Sequence, residues 1–183
     1  MKKVLILGAG GIGSYLIEEL YHTQKYDKVL WDVDVTIADG DIVEVKQRHY
    51  QNFSLEDVGK NKAEVLGERY KFEFIPKRLD KFDGFDLIIL CVDNDPTRIQ
   101  VIKSGLDFID LRSTGRKYSG IPRMEDNMKY VDETDMGEYS CQEKEDIRLG
   151  KIQKGNKIIA MIGIQMLLNN LRGDGNRMIR GVV

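Results

Sequence analysis

The chain has little of what builds disulfide scaffolds, zinc ribbons or nucleic-acid surfaces. Its 183 residues include two cysteines, Cys91 and Cys141, too few for a disulfide framework or a four-ligand zinc site. Basic and acidic residues nearly cancel, 28 against 30, for a formal net charge of −2. The basic excess on one face that usually marks a nucleic-acid protein is therefore absent. No apolar run approaches the roughly 20 residues that a spanning helix needs. The run Val4-Leu5-Ile6-Leu7, just after Met1-Lys2-Lys3, is too short for a signal h-region and ends in a glycine loop. Internal repeats, low-complexity stretches and linker-like composition are missing too. These absences predict a reduced, cytoplasmic protein without signal peptide, membrane span or nucleic-acid partner. They also make residues 1–183 one domain.

What is present is enough apolar material for a core, 42% of residues, and an alternation of strand and helix patterns. Lys3–Leu7 is a continuous apolar strand of the kind covered on both faces. A glycine loop leads into a helical pattern from Ser14 to about His22, with Tyr15, Leu16, Ile17 and Leu20 on or near one face. Val33–Ala38 alternates into a second strand ending at Asp39-Gly40-Asp41. From Asp41 to Val58 the pattern is an irregular loop with at most one helical turn. A helix over Lys60–Tyr70 precedes a short strand at Phe72–Ile75, stopped by Pro76. Asp86–Val92 is a strongly apolar strand, and Pro96 opens a helix reaching about Ser104. Phe108–Leu111 is a further strand. Weak strands are expected near Ser119–Met124 and Lys129–Val131, and a long apolar helix over about Asn156–Leu171. This order predicts a Rossmann-like α/β fold: a doubly wound, mainly parallel sheet with helices on both faces.

Gly8-Ala9-Gly10-Gly11-Ile12-Gly13-Ser14 lies between the first strand and the first helix, the context that a G-x-G-x-x-G match requires. In this pattern Gly8 permits a tight turn, Gly10 lets the backbone approach a phosphate, and Gly13 lets the helix pack close to the strand. The helix N-terminus then offers free N–H groups to an anion. A tight strand–helix turn without ligand is the plain alternative. Asp39, ending the second strand, stands where such folds place a carboxylate on ribose hydroxyls. Neither feature separates a dinucleotide from ATP.

Further blocks bear on that choice. Gly8–Ser14 is followed by Asp39-Gly40-Asp41-Ile42-Val43-Glu44, then Gln51-Asn52-Phe53, then Asp57-Val58-Gly59-Lys60-Asn61-Lys62-Ala63, then Cys91-Val92-Asp93-Asn94 with Arg98. In this order the blocks resemble the ThiF/MoeB/HesA family, which includes the adenylation domains of ubiquitin-activating enzymes. The resemblance extends in weaker form to the last helix. It implies an ATP-dependent adenylyltransferase that activates the C-terminal carboxylate of a ubiquitin-like or sulfur-carrier protein, with ATP and Mg²⁺ as cofactors. It implies nucleotide contacts at Gly8, Gly10, Gly11, Gly13, Ser14, Asp39, Asp41, Gln51, Lys62, Asn94 and Arg98, with Asp93 holding the metal. Attack on the α-phosphate with loss of pyrophosphate needs phosphate charge neutralised and held in line. A lone carboxylate at a strand end suits Mg²⁺, which takes one or two protein oxygens plus phosphates and water. The plainer readings are an N-cap role for Asp93-Asn94 and a solvated helix face for Lys62.

The sequence also departs from that family. Relatives carry Asn-x-x-Arg-Gln in the loop after the second strand, where the Asn and Arg contact phosphates; here those positions hold Gln47 and Tyr50. A tyrosine supplies neither the charge nor the fork of a guanidinium, so Arg48, beside His49, is the candidate replacement. CxxC pairs are missing, and with them the structural zinc of many relatives. The N-terminal helices that in relatives lend an arginine to a partner subunit have no counterpart before the first strand. The C-terminal Arg180-Gly181-Val182-Val183 lacks the Gly-Gly end of a carrier, marking the chain as activator. Cys91 reads as a buried core thiol. Cys141 reads as a candidate for thioester or sulfur transfer, although Glu143, Glu145 and Asp146 nearby raise a thiol pKa. The last helix is apolar nearly all round, fitting either a core helix or one shared in the homodimer or heterodimer that the resemblance implies. Two alternatives stand beside the enzyme: a non-catalytic or half-active subunit needing a partner chain, and a nicotinamide-dependent oxidoreductase sharing only the nucleotide fold.

Overall fold

The computed structural model describes residues 1–132, 142 and 144–183. Strands β1 (Lys2–Leu7), β2 (Val33–Ala38), β3 (Glu73–Ile75), β4 (Leu87–Leu90), β5 (Asp107–Thr114), β6 (Lys117–Pro122) and β7 (Ile179–Val182) form one seven-stranded sheet in the order β3-β2-β1-β4-β5-β6-β7. The first five are parallel, whereas β6 and β7 join antiparallel. The mainly parallel, doubly wound sheet expected from the sequence is therefore present. Chain order reverses direction at β1, which is flanked by β2 and β4. That is the switch point at which open α/β sheets leave a crevice beyond the strands' carboxyl ends.

β1 is buried on both faces because it is apolar at successive positions, not at alternate ones. Val4 and Ile6 join Leu16, Ile17, Leu66, Ile164 and Leu167 in one core. Those partners belong to α1 (Gly13–Thr23), α2 (Lys62–Tyr70) and α6 (Gly155–Arg172). Leu5 and Leu7 face the other way, onto Phe82, Val101 and Phe108; Val101 belongs to α3 (Asp95–Ser104). Helices thus cover both faces. α2 starts where Asn61 Oδ1 accepts from the Glu64 N–H at 3.0 Å, and α3 where Asn94 accepts from Thr97 N–H at 3.0 Å. Each satisfies one orphan donor of a first turn.

Three local expectations need correction. Lys129–Asp132 is a short helix, α4, and not a strand; Asn127 holds that turn by accepting from Met124 N–H and donating to the Pro122 carbonyl. The loop from Asp41 to Val58 contains two 3-10 turns, Val45–His49 and Leu55–Asp57. β7 has no signal in the sequence because its partner among the described residues, β6, is distant in sequence. A further short helix, α5, spans Lys144–Arg148. The long C-terminal helix is a core helix of this chain: Ile159, Ala160, Ile164, Met166, Leu167 and Leu168 are buried against β5, β6 and α1.

Polar groups also brace the carboxyl ends of β4 and β5. Asp110, 2% exposed, accepts from Arg98 Nε at 3.2 Å and from Arg112 Nε at 2.7 Å. Arg98 reaches Asp95 and the Val92 carbonyl as well, and Arg112 reaches the Tyr130 carbonyl at 3.0 Å. One buried carboxylate thus links α3, β5, α4 and the turn after β4. Removing one member of such a buried ionic set costs about 3–5 kcal/mol. Asp110→Ala is expected to lower unfolding free energy by that order in urea titrations, far more than an exposed acid such as Glu56→Ala.

Candidate functional site

The crevice over β1 is built first by backbone. Gly8 has φ +99°, and a Cβ there would meet the Cys91 carbonyl oxygen at 2.8 Å. A Cβ at Gly13 would lie 1.9 Å from the Gly8 carbonyl oxygen. The strand–turn–helix is thus so tight that α1 begins directly on the turn leaving β1. Ser14, fully buried, accepts from the Asn52 N–H at 3.0 Å. Gly10 and Gly11 complete the loop. The Gly11 carbonyl accepts from Asn156 Nδ2 at 2.9 Å, and the same nitrogen donates to the Tyr50 carbonyl at 2.9 Å. Asn156 was not singled out from sequence, since an asparagine in a helix's first turn reads only as an end signal.

Asp39 leaves β2 and folds back on this loop. Its Oδ2 accepts from the Ala9 N–H at 2.6 Å and its Oδ1 from the Asp41 N–H at 2.8 Å. Burial pushes its carboxyl above the usual carboxylate range, against the pull of those two N–H groups and of Lys62. Asp41, half-exposed, is 3.5 Å from Lys62 Nζ and 3.1 Å from an Arg78 Nη. Burial works to raise its pKa, but Arg78 and Lys62 outweigh that and hold it low. Lys62 is 4% exposed, so it is no solvated helix face. Its own N–H donates to the Asp41 carbonyl, and Asn61 Nδ2 donates to the carbonyls of Asp39 and Asp41. The start of α2 is thereby tied to the end of β2.

The remaining candidates lie around this centre. Asp93 and Asn94 are exposed beyond β4, and Asn94 is the α3 N-cap described above. Arg98 is buried beneath them in the Asp110 cluster, with its guanidinium turned to protein partners. Gln51 is buried beside the loop. Its Nε2 lies 3.9 Å from where a Gly10 Cβ would stand, and its Oε1 has no hydrogen-bond partner among the described residues. Arg48 is half-buried in its 3-10 turn and donates through Nε to the Val45 carbonyl at 3.3 Å. Tyr50 is buried. Cys91 is a buried thiol outside any disulfide; Cys141 lies outside the described residues. Arg78, whose sequence context offered only the strand-stopping Pro76, is an addition that the structure makes.

A turn in which Gly8 and Gly13 have no room for a Cβ, an acid folded against it and a buried lysine stand at the switch point of a Rossmann-like α/β sheet. The chain belongs to the ThiF family, whose model matches residues 1–108. No curated protein sequence matches it. Among solved structures it is similar to Escherichia coli MccB with ATP (TM-score 0.69, 15% identity, covering 99% of this chain and 63% of that one). It is equally similar to E. coli MccB with MccA-N7isoASN (TM-score 0.70, 16% identity, 99% and 64%). PaaA matches at TM-score 0.63 and 15% identity, over 100% of this chain and 64% of that one. The chain thus spans just under two thirds of these proteins, and the likeness is one of fold.

The tightness of the turn is testable. Gly13→Ala forces a Cβ into the Gly8 carbonyl, so the helix must move off the strand. Overpacking of this kind costs roughly 1–3 kcal/mol. Thermal unfolding should register that loss, while Gly10→Ala, with open space at its Cβ, should leave stability nearly unchanged.

Proposed function

We propose that this chain binds ATP in the crevice over β1 and adenylates the C-terminal carboxylate of a peptide or small protein, of ubiquitin-like or sulfur-carrier type. The observation that carries the reading is that the family match, residues 1–108, contains the Gly8–Ser14 turn, Asp39, Lys62 and Asp93 around β1, β2 and β4. E. coli MccB, seen with ATP and with N-formylated MccA, supports a nucleotide and a peptide-like partner. Family membership counts against the nicotinamide alternative.

The residues fit such chemistry. The Gly8–Ser14 backbone and the α1 N-terminus would receive phosphates, with the Gln51 Nε2 group beside Gly10. Asp39 would hold the ribose, and Lys62 would offset phosphate charge. Asp93 would hold Mg²⁺, which supplies further neutralisation of the phosphates when bound. A carboxylate oxygen of the substrate attacks the α-phosphorus, and the bond from that phosphorus to the bridging oxygen breaks. Pyrophosphate leaves and an acyl-adenylate remains. Arg48 would face the departing pyrophosphate, in place of the arginine replaced by Tyr50. Cys141 would act after adenylation, in thioester or sulfur transfer. The setting proposed is cytoplasmic, as a homodimer or heterodimer; among the described residues no helix is long and apolar enough to cross a membrane.

One observation favours a second reading, a half-active subunit needing a partner chain: the buried Tyr50 leaves no guanidinium at its position. ATP–pyrophosphate exchange separates the two. The enzyme reading expects exchange with a suitable carrier, loss of it in Asp93→Ala with unchanged melting, and no effect of Cys141→Ser. Wild-type exchange retained in Asp93→Ala would remove the metal role.

Losing one charge-stabilising contact costs about 10²–10³ in rate. Arg48→Ala should slow exchange by that order, and Tyr50→Arg in the same background should partly restore it. A silent wild type activated by Tyr50→Arg alone would establish the half-active reading.

A further inference from the structure

Arg78 follows β3, and its sequence neighbourhood carries no motif. In the structure it is pressed against the rim of the crevice. A Cβ at Gly40, the residue after Asp39, would lie 2.9 Å from the Arg78 backbone nitrogen and 2.8 Å from its Cγ. An Arg78 Nη lies 3.1 Å from Asp41 Oδ1, while the other Asp41 oxygen faces Lys62 at 3.5 Å. One carboxylate therefore joins a buried ammonium to a guanidinium whose side chain is 86% exposed. The charges of Asp39 and Asp93 act on Arg78 in addition to that of Asp41. Asp39 ends β2 and Asp93 follows β4, on opposite sides of β1. Its contact with Gly40 and its pair with Asp41 set Arg78 at the β2 side of the crevice.

We infer that Arg78 is a nucleotide-contact residue that closes the base-and-ribose side of the crevice, its guanidinium lying against the purine. The inference rests on the ATP-binding reading and adds a residue to that site. The side is set by placement: Arg78 packs on Gly40, beyond the ribose carboxylate Asp39, whereas phosphates belong to the Gly8–Ser14 turn over β1. The mode is set by chemistry. A guanidinium is planar, weakly hydrated and stacks on aromatic faces, which an ammonium does not. Asp41 ties down one edge of that plane, so less side-chain freedom is lost when a base arrives.

Calorimetric titration of the full chain with ATP, AMP and adenosine tests this. Arg78→Ala should weaken all three by a similar factor, about tenfold, equivalent to ~1.4 kcal/mol. Arg78→Lys should fail to restore adenosine binding, because it returns charge without a plane. Asp41→Asn should reproduce part of the loss by freeing the guanidinium. Unchanged binding of all three by Arg78→Ala overturns the inference while leaving the ATP reading intact. Loss confined to ATP, or full recovery of adenosine binding by Arg78→Lys, overturns the stacking role in favour of phosphate charge. A wild type that binds none of the three overturns the ATP reading itself, and this inference with it.

Discussion

The structure depends on how closely α1 follows β1. With Gly13 set against the Gly8 carbonyl and Gly8 against the carbonyl after β4, neither position has room for a side chain. Everything else about the crevice follows from that contact. The helix N-terminus lies at the sheet's switch point because there is no room for it elsewhere. The end of β2 can reach the loop with one aspartate because the loop is so short. The apolar burial of β1 on both faces holds this arrangement from below, and it involves no polar group in the core of the strand.

Charge is arranged in two tiers around that contact. Above the sheet, Asp39, Asp41, Lys62 and Arg78 are linked and partly wet, and their pairing can be rearranged by a ligand at modest cost. Below and to one side, Arg98, Asp110 and Arg112 are buried and paired with one another and with backbone carbonyls. Buried ion sets of this kind contribute little net stability relative to apolar packing, but they penalise any departure from their geometry. The upper tier is suited to binding and the lower one to holding the β4 turn in place.

Much of this was legible in the sequence where the physics is local. The glycine spacing between an apolar strand and a helix, the aspartate closing β2 and the asparagine capping α3 are short-range devices. Interactions that cross the chain were not legible. Lys62 reads from its motif as a nucleotide contact, but its burial was not legible, because that depends on Asp41 and on the sheet beneath it. Arg98 was placed on the rim by its motif, and only the pairing of β4 with β5 shows that Asp110 draws it inward. Arg78 and Asn156 had no pattern to mark them, since their partners are distant in sequence. Lys129–Val131 reads as a strand on three residues, too few for periodicity to distinguish from a helical turn.

The two hydrogen bonds of the Asn156 amide have a consequence in time as well as in space. Residues 11 and 50 leave the ribosome long before residue 156, and chains emerge at about 5–20 residues per second. The early strands and α1 can therefore assemble while the loop between them still lacks its last anchor. Contacts between such distant residues form late because their closure entropy must be met first. The crevice is thus completed by the docking of α6, which couples the finishing of the site to the arrival of Asn156.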